Sequence, residues 1–301
     1  KLSSKNRPPV LCIFHYIYAP FPDLFSSHNS NLNKDPTLIH NTHIGTESPP
    51  LSSESPLPSF IFFSLAMANS NNHSDVRLIG AWASPFVMRP RIALNIKSVE
   101  YEFIEEQFGS KSDLLLKSNP VHKKIPILLH SDKPICESNI IVEYIDEVWS
   151  SGPSILPADA HDRAVARFWA AYIDEKWFPN LKGVITAANE EEKNAAVDQL
   201  REVVLQMEGA YGEVSRGEDF FGGEKIGFVD IAFGSMLGWA RAIQVMAGVK
   251  LLDEEKTPGL VKWAEKFSAD PAVKDVLPEA EKLVEFSKLL SAKFKTAAAS
   301  S

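Results

Sequence analysis

Cys12 and Cys136 are the only two cysteines in a chain of 301 residues. That is too few for a disulfide framework or a cysteine-rich metal site, and it fits a reducing compartment. Basic residues are also scarce: 31 Lys and Arg against 39 Asp and Glu leave a formal charge of −8. This balance argues against nucleic acid or an anionic membrane as the main partner. An anionic ligand must then be held by a few local lysines or by backbone N–H groups. No run approaches the roughly 18–20 apolar residues of a membrane span, and the apolar stretch Val10 to Ala19 is interrupted by His15. His122 and His161 lack partners at metal-ligand spacing, so no metal site is expected. What remains is globular in kind, 45% hydrophobic and 23% charged, and long enough for two domains.

The first 66 residues are dense in Ser and Pro, with Pro8-Pro9 and Pro49-Pro50, and keep no sustained period. Such a composition predicts a disordered extension over residues 1–74. The first methionine is Met67, and Met67-Ala68-Asn69 reads as a natural start preceded by translated upstream sequence. A targeting segment is the rival reading. Its acids, Asp23, Asp35, Glu47 and Glu54, weaken that rival.

Beyond residue 75 the pattern is regular. Val76 to Gly80 predicts a buried strand, Arg91 to Lys97 a helix, and Tyr101 to Glu105 a half-buried strand. Ser112 to Lys117 predicts a short helix, Ile125 to Leu129 a strand, Ile135 another, and Ser138 to Trp149 a helix. The order β-α-β-α-β-β-α over residues 75–152 implies a small α/β domain with a mixed sheet. A breaker-rich linker, with Gly152-Pro153 and Leu156-Pro157, follows. Residues 160–294 then read as helix throughout, in segments 160–187, 190–214, 228–247, 257–268 and 271–294.

Four features of the first domain suggest chemistry. Ser84, in Trp82-Ala83-Ser84-Pro85-Phe86, places a hydroxyl between a strand and a helix N-terminus. Backbone N–H groups and the helix dipole there favour an anion, although a plain N-cap serine has the same sequence. Lys123-Lys124-Ile125-Pro126 offers lysines for a carboxylate and, through a cis Ile125-Pro126 bond, an extended edge for a peptide. A strand start with solvated lysines fits it equally. Glu137-Ser138 opens a helix; together they suit an amino-acid head group, or simply cap the helix. Lys111 lies in the polar loop Gly109 to Ser112. Each feature alone is ordinary.

In sequence they resemble one family. Trp82 to Phe86, Asn119 to Leu128, Glu137-Ser138, Tyr144 to Trp149, Arg167 to Ala170 and Gly227 to Ala232 are together similar to plant tau-class glutathione transferases, from about residue 76 to 290. The resemblance implies a thioredoxin-like α/β domain followed by an all-α domain, the glutathione transferase fold. It implies that Ser84 hydrogen-bonds the glutathione sulfur and that Lys111 and Lys124 meet the glycine carboxylate. Ile125 would pair its backbone with the cysteinyl unit, and Glu137 and Ser138 would hold the γ-glutamyl end. Ser84 is then a donor that stabilises thiolate over thiol, not a nucleophile. Relatives that form mixed disulfides carry cysteine at this position, and this chain cannot do that chemistry there. Cys136 is expected to be a structural thiol.

The implied activity is attack of glutathione thiolate on hydrophobic electrophiles, with hydroperoxide reduction as a side activity. A non-catalytic carrier of hydrophobic molecules is the alternative. No cofactor is expected beyond glutathione as co-substrate. The acceptor site is expected from Trp82, Phe86, Phe178 and Trp239, each of which ordinary core packing would also explain. Trp169 and Trp263 read as core. The resemblance further implies a cytosolic homodimer. Gly227-Phe228-Val229-Asp230 is similar to the family's helix-start box, with Gly227 where Ser or Thr is usual. Asp230 is therefore assigned to folding.

Overall fold

The computed structural model describes residues 75–187 and 189–299, all within one contact unit. The expected disordered extension and the start at Met67 lie outside the described residues. The described chain opens with β1 (Val76–Gly80), α1 (Pro85–Ile96), β2 (Glu102–Glu105) and α2 (Asp113–Ser118). β3 (Ile127–His130), β4 (Lys133–Cys136) and α3 (Ser138–Val148) follow. The sheet order is β2-β1-β3-β4, with β1 parallel to β2 and antiparallel to β3, and β3 antiparallel to β4. Leu78, on β1, pairs with Phe103 and Leu128 and faces the core that α1 and α3 cover. Ile79 faces the other way, onto Leu115 of α2 with Ile127 and Leu129. The alternation of one strand thus builds both layers.

The helical part runs α4 (Ala160–Tyr172), a π-helical turn (Ile173–Trp177), α5 (Phe178–Thr186) and α6 (Glu190–Val214). It ends with α7 (Phe228–Gly234), α8 (Leu237–Ala247), α9 (Pro258–Ala269) and α10 (Ala280–Ala299). The linker is clamped to the first part by Asp146. Its carboxylate accepts Ile155 N–H and Leu156 N–H at 2.9 Å each and pairs with Lys97 at 2.6 Å.

Three expectations need correction. α1 starts at Pro85, six residues before the expected Arg91, and runs through Pro90. Pro85 sits in the first turn, where no N–H is needed, and Pro90 forfeits only one bond. The expected helix 228–247 is two helices, broken at Ser235 and Met236. The Ala232 carbonyl there accepts from Arg89 Nη2 at 3.0 Å and from Ser235 Oγ at 3.1 Å. Met236 N–H turns instead to Phe233 O at 3.0 Å. The expected helix 271–294 begins only at Ala280, because Pro271 and Pro278 interrupt the preceding segment.

Asp230 sits at the centre of the helical part, fully buried. It accepts Phe221, Gly222 and Gly227 N–H at 2.8–2.9 Å and Trp263 Nε1–H at 2.7 Å. Gly227 has no side chain, so only the acid's half of the capping box exists, as expected. A Cβ at Gly227 would stand 2.8 Å from Gly222 Cα, so this loop closes too tightly for the usual hydroxyl residue.

Candidate active site

Ser84 caps α1 with an extended backbone, φ −82° and ψ 116°, but its side chain makes no capping bond. Its hydroxyl is buried and has no hydrogen-bond partner among the described residues. An unpartnered buried hydroxyl costs roughly 1–3 kcal/mol unless water or a ligand meets it. Ser84 occupies the cap position, but its side chain does not cap the helix. Ser84 N–H donates to Ala81 O at 3.1 Å, and Trp239 Nε1–H donates to Ala83 O at 2.7 Å.

Ala81 also walls a small cavity of about 30 Å³, with Glu106, Phe108, Lys123, Lys124 and Ile125 among its lining. The lysine loop is ordered by Asn119, a buried residue. Asn119 Nδ2 donates to Lys124 O at 3.0 Å, and its Oδ1 accepts His122 N–H at 3.0 Å. Asn119 O accepts Lys123 N–H at 2.9 Å, while Lys123 takes a positive φ of 54°. The Ile125–Pro126 peptide is cis. The loop bearing Lys111 is held by Glu106, whose carboxylate accepts Ser112 N–H at 3.1 Å and Ser112 Oγ–H.

These lysines are close enough to sense one another. Burial first, and then Lys123, lowers Lys111 below its ordinary pKa. Lys124 is lowered by burial and by Lys111, against an opposing pull from Glu137. Partial desolvation of clustered cations creates a local demand for an anion. Glu137, exposed and at φ 71°, lies 3.8 Å from His122 Nε2. Ser138, the first residue of α3, is buried, and its Oγ accepts Arg89 Nη1–H at 3.2 Å. With that bond accepting, the Ser138 proton remains available to a ligand. Cys136, half-buried, is raised above the usual thiol pKa by burial and by Glu137, which disfavours a reactive thiolate.

The aromatics divide in two. Phe86 and Phe178 are buried and meet edge to face at 5.0 Å, and Trp239 is buried with its indole nitrogen engaged. Trp82 is only half-buried and stands edge-on to Phe286 of α10 at 5.2 Å. Phe108 meets the same Phe286 at 4.6 Å. Phe108 and Phe286 had no motif in the sequence to single them out, since α10 reaches this loop only through the fold. Asn119 opened the motif Asn119 to Leu128, but with no role assigned to it. Trp169 is half-buried and Trp263 fully buried.

The family-model comparison matches residues 74–147 to the glutathione S-transferase N-terminal domain and residues 161–271 to its C-terminal domain. Glutathione S-transferase U17 of Arabidopsis thaliana is 65% identical over 216 residues, covering 71% of this chain and 95% of that protein. The chain belongs to the tau class of glutathione S-transferases. A solved tau-class structure from mango, Mangifera indica, is 68% identical with a TM-score of 0.70, over 72% of this chain and 98% of that one. A rice structure of GST1 in complex with glutathione is 37% identical with a TM-score of 0.67. It covers 73% of this chain and 99% of that one.

Within this transferase, a cleft of about 650 Å³ lies away from Ser84, lined by Ile96, Val99, Phe220, Ile226 and Pro271 among others. It contains none of the expected site residues. His161 does have acidic neighbours, contrary to expectation: oxygens of Asp159 and Asp162 come within 4.8 Å of it and of each other. Both acids are occupied. Asp159 caps His161 and Asp162 N–H at 2.8 and 3.0 Å, and Asp162 pairs with Arg216 at 2.8 Å.

Proposed function

We propose that the chain conjugates glutathione to hydrophobic electrophiles, with Ser84 as the hydroxyl that stabilises the bound thiolate. The observation that carries this is the buried Ser84 Oγ, at the head of α1, with no partner among the described residues. A sulfur anion placed there accepts a hydrogen bond from the hydroxyl and sits in the field of the helix N-terminus, its own proton released to solvent. The thiolate then attacks the acceptor's carbon, forming C–S as the leaving group departs with its electron pair.

Lys111 and Lys124 hold the glycine carboxylate, and Ile125 pairs its backbone with the cysteinyl unit. Glu137 takes the γ-glutamyl ammonium, and Ser138 donates its proton to the adjoining carboxylate. Trp82, Phe86, Phe178 and Trp239 form the acceptor wall. Trp82 offers the open surface, and buried Phe86 and Phe178 back it. The same thiolate would reduce hydroperoxides as a side activity, and no group beyond glutathione is required.

A cytosolic location rests on the likeness to tau-class relatives; among the described residues no helix is long and apolar enough to cross a membrane. A homodimer is supported by apolar side chains left in water. Ile140 of α3 is 57% exposed and Phe168 of α4 60%, on either side of the Glu143–Arg167 pair at 2.5 Å. A second copy covering them would remove this cost.

The test is turnover of an aromatic chloride acceptor with glutathione. Tight binding of hydrophobic ligands without any conjugate formed would defeat the reading in favour of a carrier.

A further inference from the structure

Ser84 has nothing to aim its side chain. Its Oγ has no partner among the described residues, so the direction of the hydroxyl is inherited from the backbone that carries it. That backbone is the Ala83–Ser84 peptide unit, and both of its polar atoms are fixed. The N–H is tied locally, to Ala81 O at 3.1 Å. The carbonyl is tied across the molecule, to Trp239 Nε1 at 2.7 Å and 156 residues further along the chain. A planar peptide held at both ends cannot rotate about the two bonds that flank it.

We propose that Trp239 is a positioning residue for Ser84: its indole N–H locks the peptide unit that points the hydroxyl at the sulfur. This assignment rests on the proposed role of Ser84. Trp239 is the third residue of α8, a helix packed against α5 and α10 in the helical part. The group that aims the first part's hydroxyl is therefore anchored in the other part of the chain. A buried indole N–H must find an acceptor, and many carbonyls in a helical core could serve. Here it takes the carbonyl next to the one buried hydroxyl that, among the described residues, lacks a bond.

Removing the N–H frees the Ala83 carbonyl and lets the unit tilt, and a tilted hydroxyl donates poorly to the sulfur. The ligand's ends are held elsewhere, by Lys111, Lys124, Glu137 and Ser138, so affinity should barely move. The experiment titrates the thiol of glutathione in its binary complex by thiolate ultraviolet absorbance, with no acceptor present. Trp239→Phe should raise the bound thiol's pKa by about one unit, a roughly tenfold loss of thiolate below that pKa. Measured at a pH below the bound thiol's pKa, where linkage leaves binding unaffected, the glutathione Kd should change less than about twofold. Trp263→Phe is the control, because it also deletes a buried indole N–H bond of 2.7 Å, but to Asp230. It should lower the melting temperature and leave the titration where it was.

If Trp239→Phe does not fold, benzothienylalanine at position 239 keeps the bicyclic ring and removes only the N–H. An unshifted titration in the folded variant, or an equal shift in Trp263→Phe, overturns the proposal. A wild-type protein that shows no depressed thiol pKa would instead refute the role of Ser84 itself.

Discussion

Arg89 of α1 and Asp174 of the π-helical turn form a two-point ion pair, Nη1 to Oδ2 at 3.0 Å and Nη2 to Oδ1 at 2.6 Å. The guanidinium is fully buried, and the carboxylate is one-third exposed. The same guanidinium donates to Ser138 Oγ, Asn139 Oδ1 and Ala232 O. One side chain thus joins α1, α3, α7 and the π turn. Planar donors on a rigid fork suit such a junction, and lysine could not replace them.

Asp174→Ala would leave that charge buried without its counter-ion. Breaking a buried pair in this way costs about 3–5 kcal/mol. The partial exposure of Asp174 places the expected loss near the lower end. Because Arg89 also holds Ser138, the Michaelis constant for glutathione should rise in the same variant. Urea unfolding and steady-state kinetics on one preparation would check both. Unchanged stability would mean that water replaces the carboxylate at no cost.

Ser84→Ala removes the only donor assigned to the sulfur. A hydrogen bond to a charged group contributes about 1.5–3 kcal/mol, so turnover should fall roughly 10- to 100-fold. The glutathione dissociation constant should hold within about twofold, since the tripeptide's ends are gripped elsewhere. Calorimetric binding beside the rate measurement separates the two. Wild-type turnover in this variant would remove Ser84 from the chemistry.

How much of this was legible in the sequence depended on whether a signal was local. β1, α3 and, within a residue at each end, α2 follow from local runs of apolar residues. Ser84 was visible as a hydroxyl before a helix, but its lack of any partner is a property of the packed chain. Trp239 was singled out as a candidate wall of the acceptor site. Its bond to Ala83 joins residues 156 apart, a distance that no periodicity encodes. Arg89 drew no notice, because a lone arginine in an apolar helix has no pattern. Its partners come from three other elements, α3, the π-helical turn and α7. The break at Ser235 is likewise tertiary, caused by Arg89 taking a carbonyl that the helix needed.

Lys124→Met tests the carboxylate corner. Lys111 and Lys124 are each pushed below the usual lysine pKa by burial and by a neighbouring lysine, so an anion between them relieves a standing cost. Deleting one should raise the Michaelis constant for glutathione about tenfold, the order of one charge-assisted bond. Glutathione amidated at its glycine end should lose the same factor with wild-type enzyme and little more with the variant. Full additivity of the two losses would show that Lys124 touches something else. Affinity should also weaken as pH rises into the alkaline range, sooner than an ordinary lysine would require.

Asp230 sets a pH dependence of the fold. Burial raises its carboxyl from 3.8 to about 6, against the opposing pull of the Gly227, Phe221, Gly222 and Trp263 donors. Between those values the native state binds more protons than the unfolded chain, so stability falls as pH rises. The contribution is complete below about pH 4 and lost through pH 6, and the shift of about two units corresponds to ~3 kcal/mol. Asp230→Asn cannot titrate, so subtracting its stability from that of the wild type cancels every other ionisation. Urea midpoints measured from pH 4 to 7 should show the wild-type advantage shrinking as pH rises. Four N–H donors converge on this one carboxylate, and they pull the other way by favouring its charge. If they outweigh burial, the advantage will grow with pH, and Asp230 will be an ionised hub whose charge holds Phe221, Gly222, Gly227 and Trp263 in place.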